Sequence, residues 1–489
     1  MAGRYAILTH DWMLRGWDGL PRVVVNWITG EQRALTPDGL YVARACDGQT
    51  DFNSLAFLPT HVAILDLLVS HGIAMACRRG PTVEPWQSYR KACNPRLSGL
   101  HWCVTGRCNL RCRHCHIEAP STRYGELPFS TMAALVDQFV QANLLRVSIS
   151  GGEPFLRADL LDLVGLLAQK HIYLNRIFSN GLLIQQTHLA EIRKAGFCPA
   201  FQISFDGVGT HDQMRGAGGT ENRVIDAIRR VRAAGFPVAV ATSVDRVNAP
   251  VLADTYRLMK TLDVQAWNVA VPQETGNWRH PCTAASLELQ VKVFEPLLQA
   301  WVNDGRPFLI KLGGFYSGGD MRLLNGRDPK FPIRQVLGGA ARRRRSKNSA
   351  GTVPSAAPPF AREVPTPESY DCGSCREEPC LLPDGTLVPC PAYVDSSLQD
   401  RMPNLLRQDL SKAWRRSLLR EIADIRKQDI LAKNPECANC DLLFKECSGG
   451  CRATALTETG DLFAKDPIMC AIHKNGEKRR FQAIADQCP

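Results

Sequence analysis

Between residues 98 and 312, short apolar runs alternate with longer amphipathic stretches. LHWCVT, LRVSIS, YLNRIFS, AFQISF, PVAVATSV and AWNVAV have strand length and are rich in β-branched and aromatic residues. TMAALVDQFVQAN, ADLLDLVGLLAQK, ENRVIDAIRRVRAAG and PVLADTYRLMKTL repeat their apolar positions at helical spacing. Strand-helix units in series predict an α/β domain, a parallel sheet with helices outside. Six such units close a partial barrel or form an open sheet. In either case the functional loops fall at the carboxyl ends of the strands.

The flanks have other patterns. In residues 1–92, VVVNWITGEQRALT reads as a hairpin turning at Thr29-Gly30, and Pro37 opens a helix over PDGLYVARAC. ACDGQT is a turn, and THVAILDLLVSHGI is an amphipathic segment stopped by Gly72. Together these predict a small α+β module. Residues 313–367 form a connecting region, Gly/Ala/Pro/Ser-rich from about 338, with the basic run Arg342–Arg345 and Lys347. Residues 368–489 are cysteine-rich, loop-rich and short of periodicity, as expected of a segment that needs metal to fold.

Composition narrows the class. The chain has 489 residues and a formal charge of +11, from 59 Lys plus Arg against 48 Asp plus Glu. The basic run lacks interleaved aromatics or a nucleic-acid module, so it reads as a solvated linker and no nucleic-acid partner is expected. MAGRYAILTHDWMLRG has no uninterrupted apolar core or small-residue cleavage site, and no apolar run spans a bilayer. A cytoplasmic chain without a membrane partner is the expectation. In that setting the 19 cysteines read as metal ligands before disulfides. Cys46, Cys77, Cys93, Cys103, Cys198, Cys282 and Cys488 stand apart and read as ordinary thiols.

One loop concentrates chemistry. CNLRCRHC comes directly after the first strand of the alternating domain and carries Cys108, Cys112 and Cys115. Thiolates are soft ligands that suit iron-sulfur clusters, zinc or copper. A structural zinc site wants four ligands, and only His114 or His116, crowded in the same loop, would supply the fourth. Three cysteines on a four-iron cluster leave one iron open to a small molecule.

C-x3-C-x2-C after the first strand of such a domain resembles the signature of radical S-adenosylmethionine (SAM) enzymes. The resemblance implies that the open iron is chelated by SAM, whose reductive cleavage yields a 5′-deoxyadenosyl radical that abstracts hydrogen from substrate. Further motifs agree. GGEP ends the second strand, and Gly151, Gly152 and Glu153 match the group that meets the SAM amino group. Ser179 and Asn180 of SNG, and Ser204 and Asp206 of SFDG, stand where the family contacts ribose and carboxylate. Arg215 matches an arginine that pairs with the carboxylate, and His114 a position that packs near adenine.

The tail resembles the SPASM domain of radical SAM enzymes that modify peptides and proteins. Cys375, Gly385 and Cys390 fit its C…G-x4-C segment, and Cys437, Cys440, Cys447 and Cys451 its later motif with one extra residue. The resemblance implies two auxiliary [4Fe-4S] clusters, three in all. One would take Cys372, Cys375, Cys390 and Cys451, the other Cys437, Cys440, Cys447 and Cys470, with Cys380 open as a replacement for Cys372. A zinc ribbon on Cys437 and Cys440 is the alternative. Pro391 stands where the sulfatase-maturing branch has a catalytic aspartate, which argues against that activity.

The implied architecture is a partial (β/α)6 radical SAM barrel, an N-terminal PqqD-like peptide-recognition module and a C-terminal SPASM domain. RGWDGLPRVVVNWITGEQR, the cysteine loop and GGFYSGGD are similar to the maturases of quinohemoprotein amine dehydrogenase. That resemblance implies intrapeptidyl thioethers between cysteine sulfur and Asp or Glu side-chain carbon, in that enzyme's small subunit, with a flavodoxin or ferredoxin as electron donor. Carbon-carbon crosslinking or epimerisation of a peptide is the alternative chemistry, and a non-catalytic iron-sulfur scaffold the alternative of another class.

Overall fold

The structure is a computed structural model that describes residues 3–121, 123–279, 283–318 and 366–487. The basic run, Cys282 and Cys488 lie outside the described residues.

The N-terminal module begins with β1 (Tyr5–Leu8), β2 (Trp12–Asp18), β3 (Val23–Asn26) and β4 (Gln32–Ala34). Helices α1 (Pro37–Ala45) and α2 (Pro59–Ser70), then β5 (Ala74–Cys77) and β6 (Arg90–Pro95), complete it. Thr36 caps α1 by accepting from Gly39 N, and Pro37 occupies the first turn, where a missing N–H costs nothing. β3 and β4 form the hairpin, in a four-stranded sheet ordered β4-β3-β2-β6. β1 pairs with β5 alone. β2 and β3 are buried on both faces, so they lack the alternation that marks a half-exposed strand, and β2 carries no signal of its own in the sequence.

Strand β6 runs across position 92 and joins the module to the central domain. Trp17 is wholly buried and its indole N–H donates to Ala142 O at 3.0 Å, while Asn143 Nδ2 donates to Gly16 O at 2.9 Å. Trp27, Trp17, Val23 and Val25 belong to the same core as the central domain.

That domain is built on β7 (Gly99–Cys103), β8 (Arg146–Ser150), β9 (Tyr173–Ser179), β10 (Ala200–Ser204), β11 (Val238–Ser243) and β12 (Ala266–Ala270). A seventh parallel strand, β13 (Leu309–Leu312), and antiparallel β14 (Tyr316–Ser317) extend the sheet. Between the strands run α3 (Phe129–Gln141), α4 (Leu160–Gln169), α5 (Gln186–Lys194), α6 (His211–Arg215), α7 (Glu221–Ala233), α8 (Leu252–Thr261) and α9 (Leu287–Asn303). Alternate residues of β7 divide between the faces. Trp102 meets Phe139 of α3 edge-on at 5.1 Å, while His101 meets Phe178 of β9 at 4.8 Å.

The C-terminal domain completes the sheet. After α10 (Gly373–Glu377), β15 (Cys380–Leu381) pairs in parallel with β7, and β16 (Leu387–Val388) turns back antiparallel. The sheet therefore runs β14-β13-β12-β11-β10-β9-β8-β7-β15-β16. α11 (Leu410–Arg415) then packs on the module's β6: Ser411 Oγ lies 3.0 Å from Asn94 Oδ1. No helix among the described residues is long and apolar enough to cross a membrane.

Candidate functional site

The cysteine loop leaves the carboxyl end of β7 and is fixed from three sides. Gly152 N donates to Thr105 O and Glu153 N to Arg107 O, both at 2.8 Å, which laces GGEP to the loop. This approach requires glycine. A Cβ on Gly152 would stand 2.0 Å from Arg107 O, and Gly151 has φ +141 with a Cβ position 2.4 Å from Thr105 O. On the second side, Arg111 N and Arg113 N donate to the carbonyls of Arg215 and Met214 at the end of α6. On the third, Asn277 N donates to Cys115 O at 3.0 Å and its side chain to Cys112 O at 3.1 Å.

The three sulfurs receive hydrogen bonds from the chain. Leu110 N points at Cys108 Sγ (3.4 Å), Ala119 N at Cys115 Sγ (3.3 Å) and Arg215 Nη1 at Cys112 Sγ (3.5 Å). Burial pushes the Cys108 thiol up to about 12 and raises Cys115 as well, and the neighbouring thiols add to both shifts. Three thiolates crowded on one loop want a cation, so the donor set fits a metal cluster.

Glu153 is fully buried. Its Oε1 accepts from Ser179 Oγ (2.9 Å) and Phe155 N (3.2 Å), and Oε2 from Asn180 N (2.7 Å). Burial raises its carboxyl to about 7 against those donors. The carboxylate thus ties GGEP to SNG, and the two half-buried glycines are the exposed part of the motif. Asn180 Nδ2 donates to Asn109 Oδ1 at 2.8 Å, back into the cysteine loop.

Asp206 is fully buried between Arg215 Nε at 2.8 Å and His114 Nε2 at 3.8 Å, and Oδ1 accepts from Ser243 N at 2.9 Å. Burial works to raise its carboxyl, but the Arg215 guanidinium, helped by the Ser243 N–H, outweighs it and holds the group below its ordinary range. Burial lowers His114 to about 4, so the ring is neutral. Ser204, half-buried, ends β10 on the same rim.

The tail cysteines fall into two groups. Cys375 hydrogen-bonds to Cys372 and Cys390, and Cys451 faces Cys390. The Tyr393 hydroxyl points among these four, is buried, and finds no hydrogen-bond partner among the described residues. Cys437, Cys440, Cys447 and Cys470 line one cavity together with Lys427, Lys465 and Asp466. Gly449 N donates to Cys447 Sγ at 3.5 Å.

Two expectations change. Cys103 is no isolated thiol: its Sγ lies 3.8 Å from Cys380 Sγ, because β15 pairs beside β7. Cys380 accordingly belongs with Cys103, while Cys372 stands with Cys375 and Cys390. Asp395, to which the sequence assigns no role, is buried and ion-paired with Arg123 and with Arg279, the latter at 3.0 Å. It has φ +60, a conformation common for Asp and Asn, and brings the tail against the barrel rim. Asn109, Asn277 and Asp245 also support the site, the last accepting from Thr283, which in turn accepts from Arg113. They lie on loops without a spacing rule, so no sequence signal marks them.

Comparison with known proteins agrees with this geometry. Residues 102–256 match the radical SAM superfamily and residues 372–441 the SPASM iron-sulfur cluster-binding domain. An AdoMet-dependent heme synthase of Oleidesulfovibrio alaskensis is 33% identical over 220 residues, 44% of this chain and 54% of that protein. The PqqA peptide cyclase of Gluconobacter oxydans is 25% identical over 376 residues, 76% of this chain and 89% of that protein. Streptococcus suis SuiB bound to precursor peptide SuiA shares the fold, with a TM-score of 0.61 at 13% identity, covering 95% of this chain and 99% of that one. The chain therefore carries a radical SAM barrel with a SPASM domain after it.

Proposed function

We propose that this chain is a radical SAM enzyme that modifies a ribosomally made polypeptide, closing thioethers between cysteine sulfur and an Asp or Glu side-chain carbon. The observation that carries the peptide reading is the joining of three parts in one body: the SAM-type cysteine loop, two tail cysteine groups and an N-terminal sheet module. The PqqA peptide cyclase relative, aligned over most of both chains, supports a peptide substrate. The small subunit of quinohemoprotein amine dehydrogenase is the substrate we infer, with a flavodoxin or ferredoxin as electron donor.

Cys108, Cys112 and Cys115 would hold the SAM-binding [4Fe-4S] cluster. Cys372, Cys375, Cys390 and Cys451 would hold one auxiliary cluster, and Cys437, Cys440, Cys447 and Cys470 the other. When bound, SAM and the cluster on Cys108, Cys112 and Cys115 would supply a 5′-deoxyadenosyl radical to take hydrogen from the substrate carbon, and an auxiliary cluster would accept the electron released as the carbon-sulfur bond closes and the thiol proton leaves. The chain's own work is binding and orientation. Gly151 and Gly152 would present backbone to the SAM amino group, Arg215 would offer its guanidinium to the carboxylate, and Ser179, Asn180 and Ser204 would contact the ribose and carboxylate. His114 would pack beside the adenine.

Mass spectrometry of the product tests the bond. Each thioether removes two hydrogens and one alkylatable thiol, on a fragment that carries an Asp or Glu. A product two hydrogens lighter whose cysteines all alkylate indicates a carbon-carbon crosslink. Unchanged mass with deuterium gained in heavy water indicates epimerisation. Either result overturns the thioether while leaving the radical SAM barrel intact.

A further inference from the structure

The pairing of β15 with β7 brings together side chains that no cluster uses. His101 and Cys103 project from the same face of β7, and Cys380 arrives from β15, where it pairs with His101. One ring nitrogen of His101 and the two sulfurs lie within 4.8 Å of one another. Cys103 and Cys380 are both fully buried. His116, from the turn after the cysteine loop, also bears on the Cys103 thiol. Its buried Nε2 has no hydrogen-bond partner among the described residues.

We propose that His101, Cys103 and Cys380 form a mononuclear zinc site, separate from the three cluster sites, that pins the SPASM domain to the first barrel strand.

The spacing favours a tetrahedral ion. Zinc-sulfur bonds of about 2.3 Å at the tetrahedral angle put two thiolates about 3.8 Å apart. The observed Sγ–Sγ separation is 3.8 Å. Two thiolates and an imidazole are a soft and borderline donor set that suits zinc over magnesium or calcium. Charge agrees as well. Zn²⁺ with two thiolates is neutral, the state a fully buried site tolerates, and the two thiol protons leave on binding. Ser150 Oγ lies 2.5 Å from His101 Nε2 and 3.3 Å from Cys103 Sγ, and so links two of the three side chains.

The consequence is mechanical. Cys380 lies on the strand paired with β16, and β16 leads directly into Cys390 of the first auxiliary group. A metal tie from β7 to β15 fixes that group relative to the cysteine loop, which leaves the same strand β7.

The test uses the full chain, prepared anaerobically with its clusters loaded and zinc supplied, then washed with a chelator. Iron and zinc are counted together, and zinc-edge X-ray absorption reports the ligands. We expect one zinc per chain beyond the iron, with two sulfur scatterers and imidazole nitrogen in its shell. Zinc should be lost from Cys103→Ala and Cys380→Ala at unchanged iron content, and retained in Cys437→Ala. Absence of zinc, a four-sulfur shell, or a Cys103–Cys380 disulfide found by thiol mapping would overturn the assignment. Should the variants fail to fold, the scattering from the unaltered chain decides alone. None of these outcomes bears on the thioether chemistry.

Discussion

Arg215 Nε meets Asp206 Oδ2 at 2.8 Å in a pair that solvent barely reaches, with side chains 8% and 0% exposed. The contact joins the end of β10 to the end of α6, and the same guanidinium touches Cys112 Sγ. A buried pair costs most when one member is removed, about 3–5 kcal/mol, because the other charge is left uncompensated. Asp206→Ala should therefore lower stability by about that amount in denaturant unfolding of the cluster-loaded chain. Arg215→Ala should also abolish SAM binding by calorimetry. The double substitution should cost less stability than the two single losses added together.

A second prediction concerns pH and the junction of module and barrel. Trp86 stacks on His171 with centroids 3.7 Å apart, and Trp27 meets the same ring edge-on at 4.9 Å. Burial, then His10 and Arg15, lower His171 to about 4 from an ordinary value of 6.5. Its folded-state pKa is depressed, so the unfolded chain binds the extra proton between those values. The contribution is fully present above pH 6.5 and declines as pH falls toward 4. Hydrogen exchange in β2 and β6 should accelerate over that window, and His171→Phe should remove the dependence. Exchange in this sheet that is independent of pH after correction for intrinsic rates would contradict the assignment.

Much of the barrel is legible in the sequence because the parallel strands are short, mostly buried runs rich in apolar residues, and helices between them keep their 3.6-residue period. AFQISF and ENRVIDAIRRVRAAG are examples. The cysteine loop, GGEP and the tail cysteines are legible because their spacing is set by what they hold. Cys103 is not. Its partner is 277 residues away, and their meeting depends on β15 joining the sheet beside β7, a tertiary event with no local pattern. Glu153 is recognisable but its immediate partners are not, since Ser179 and Asn180 belong to another loop. The join of the N-terminal module to the barrel is hidden for the same reason: Trp17 reads as one more apolar residue until Ala142 O receives its N–H.

Tyr393 leads to a third prediction. Its hydroxyl is buried among Cys372, Cys375, Cys390 and Cys451 without another partner among the described residues. A buried O–H seeks an acceptor, and sulfur is the acceptor available there. Hydrogen bonds to cluster sulfurs raise reduction potential by stabilising the more negative reduced state. Tyr393→Phe should lower the potential of that auxiliary cluster in an EPR-monitored redox titration, at unchanged iron content. An unaltered potential would mean that the hydroxyl does not reach the cluster.

The last prediction separates peptide recruitment from packing. Deleting residues 1–92 would cut strand β6 and strip Trp17, Val23 and Val25 from a core shared with the barrel, so loss of binding would not distinguish the two. The edge strand β4 offers a cleaner route. Leu35 N donates to Arg22 O and Asn26 N to Glu31 O. In an antiparallel ladder the bonded pairs alternate, so the N–H groups of Gln32 and Ala34 point away from β3, toward the sheet's outer edge. An extended peptide adding to that edge would accept from Ala34 N. Ala34→Pro removes this donor while the hairpin's own bonds remain, a substitution that edge strands tolerate. Peptide affinity should fall about tenfold, the 1–1.5 kcal/mol of one backbone hydrogen bond, with SAM cleavage in the absence of peptide unchanged. Equal affinities for Ala34→Pro and the unaltered chain would exclude this edge as the docking strand.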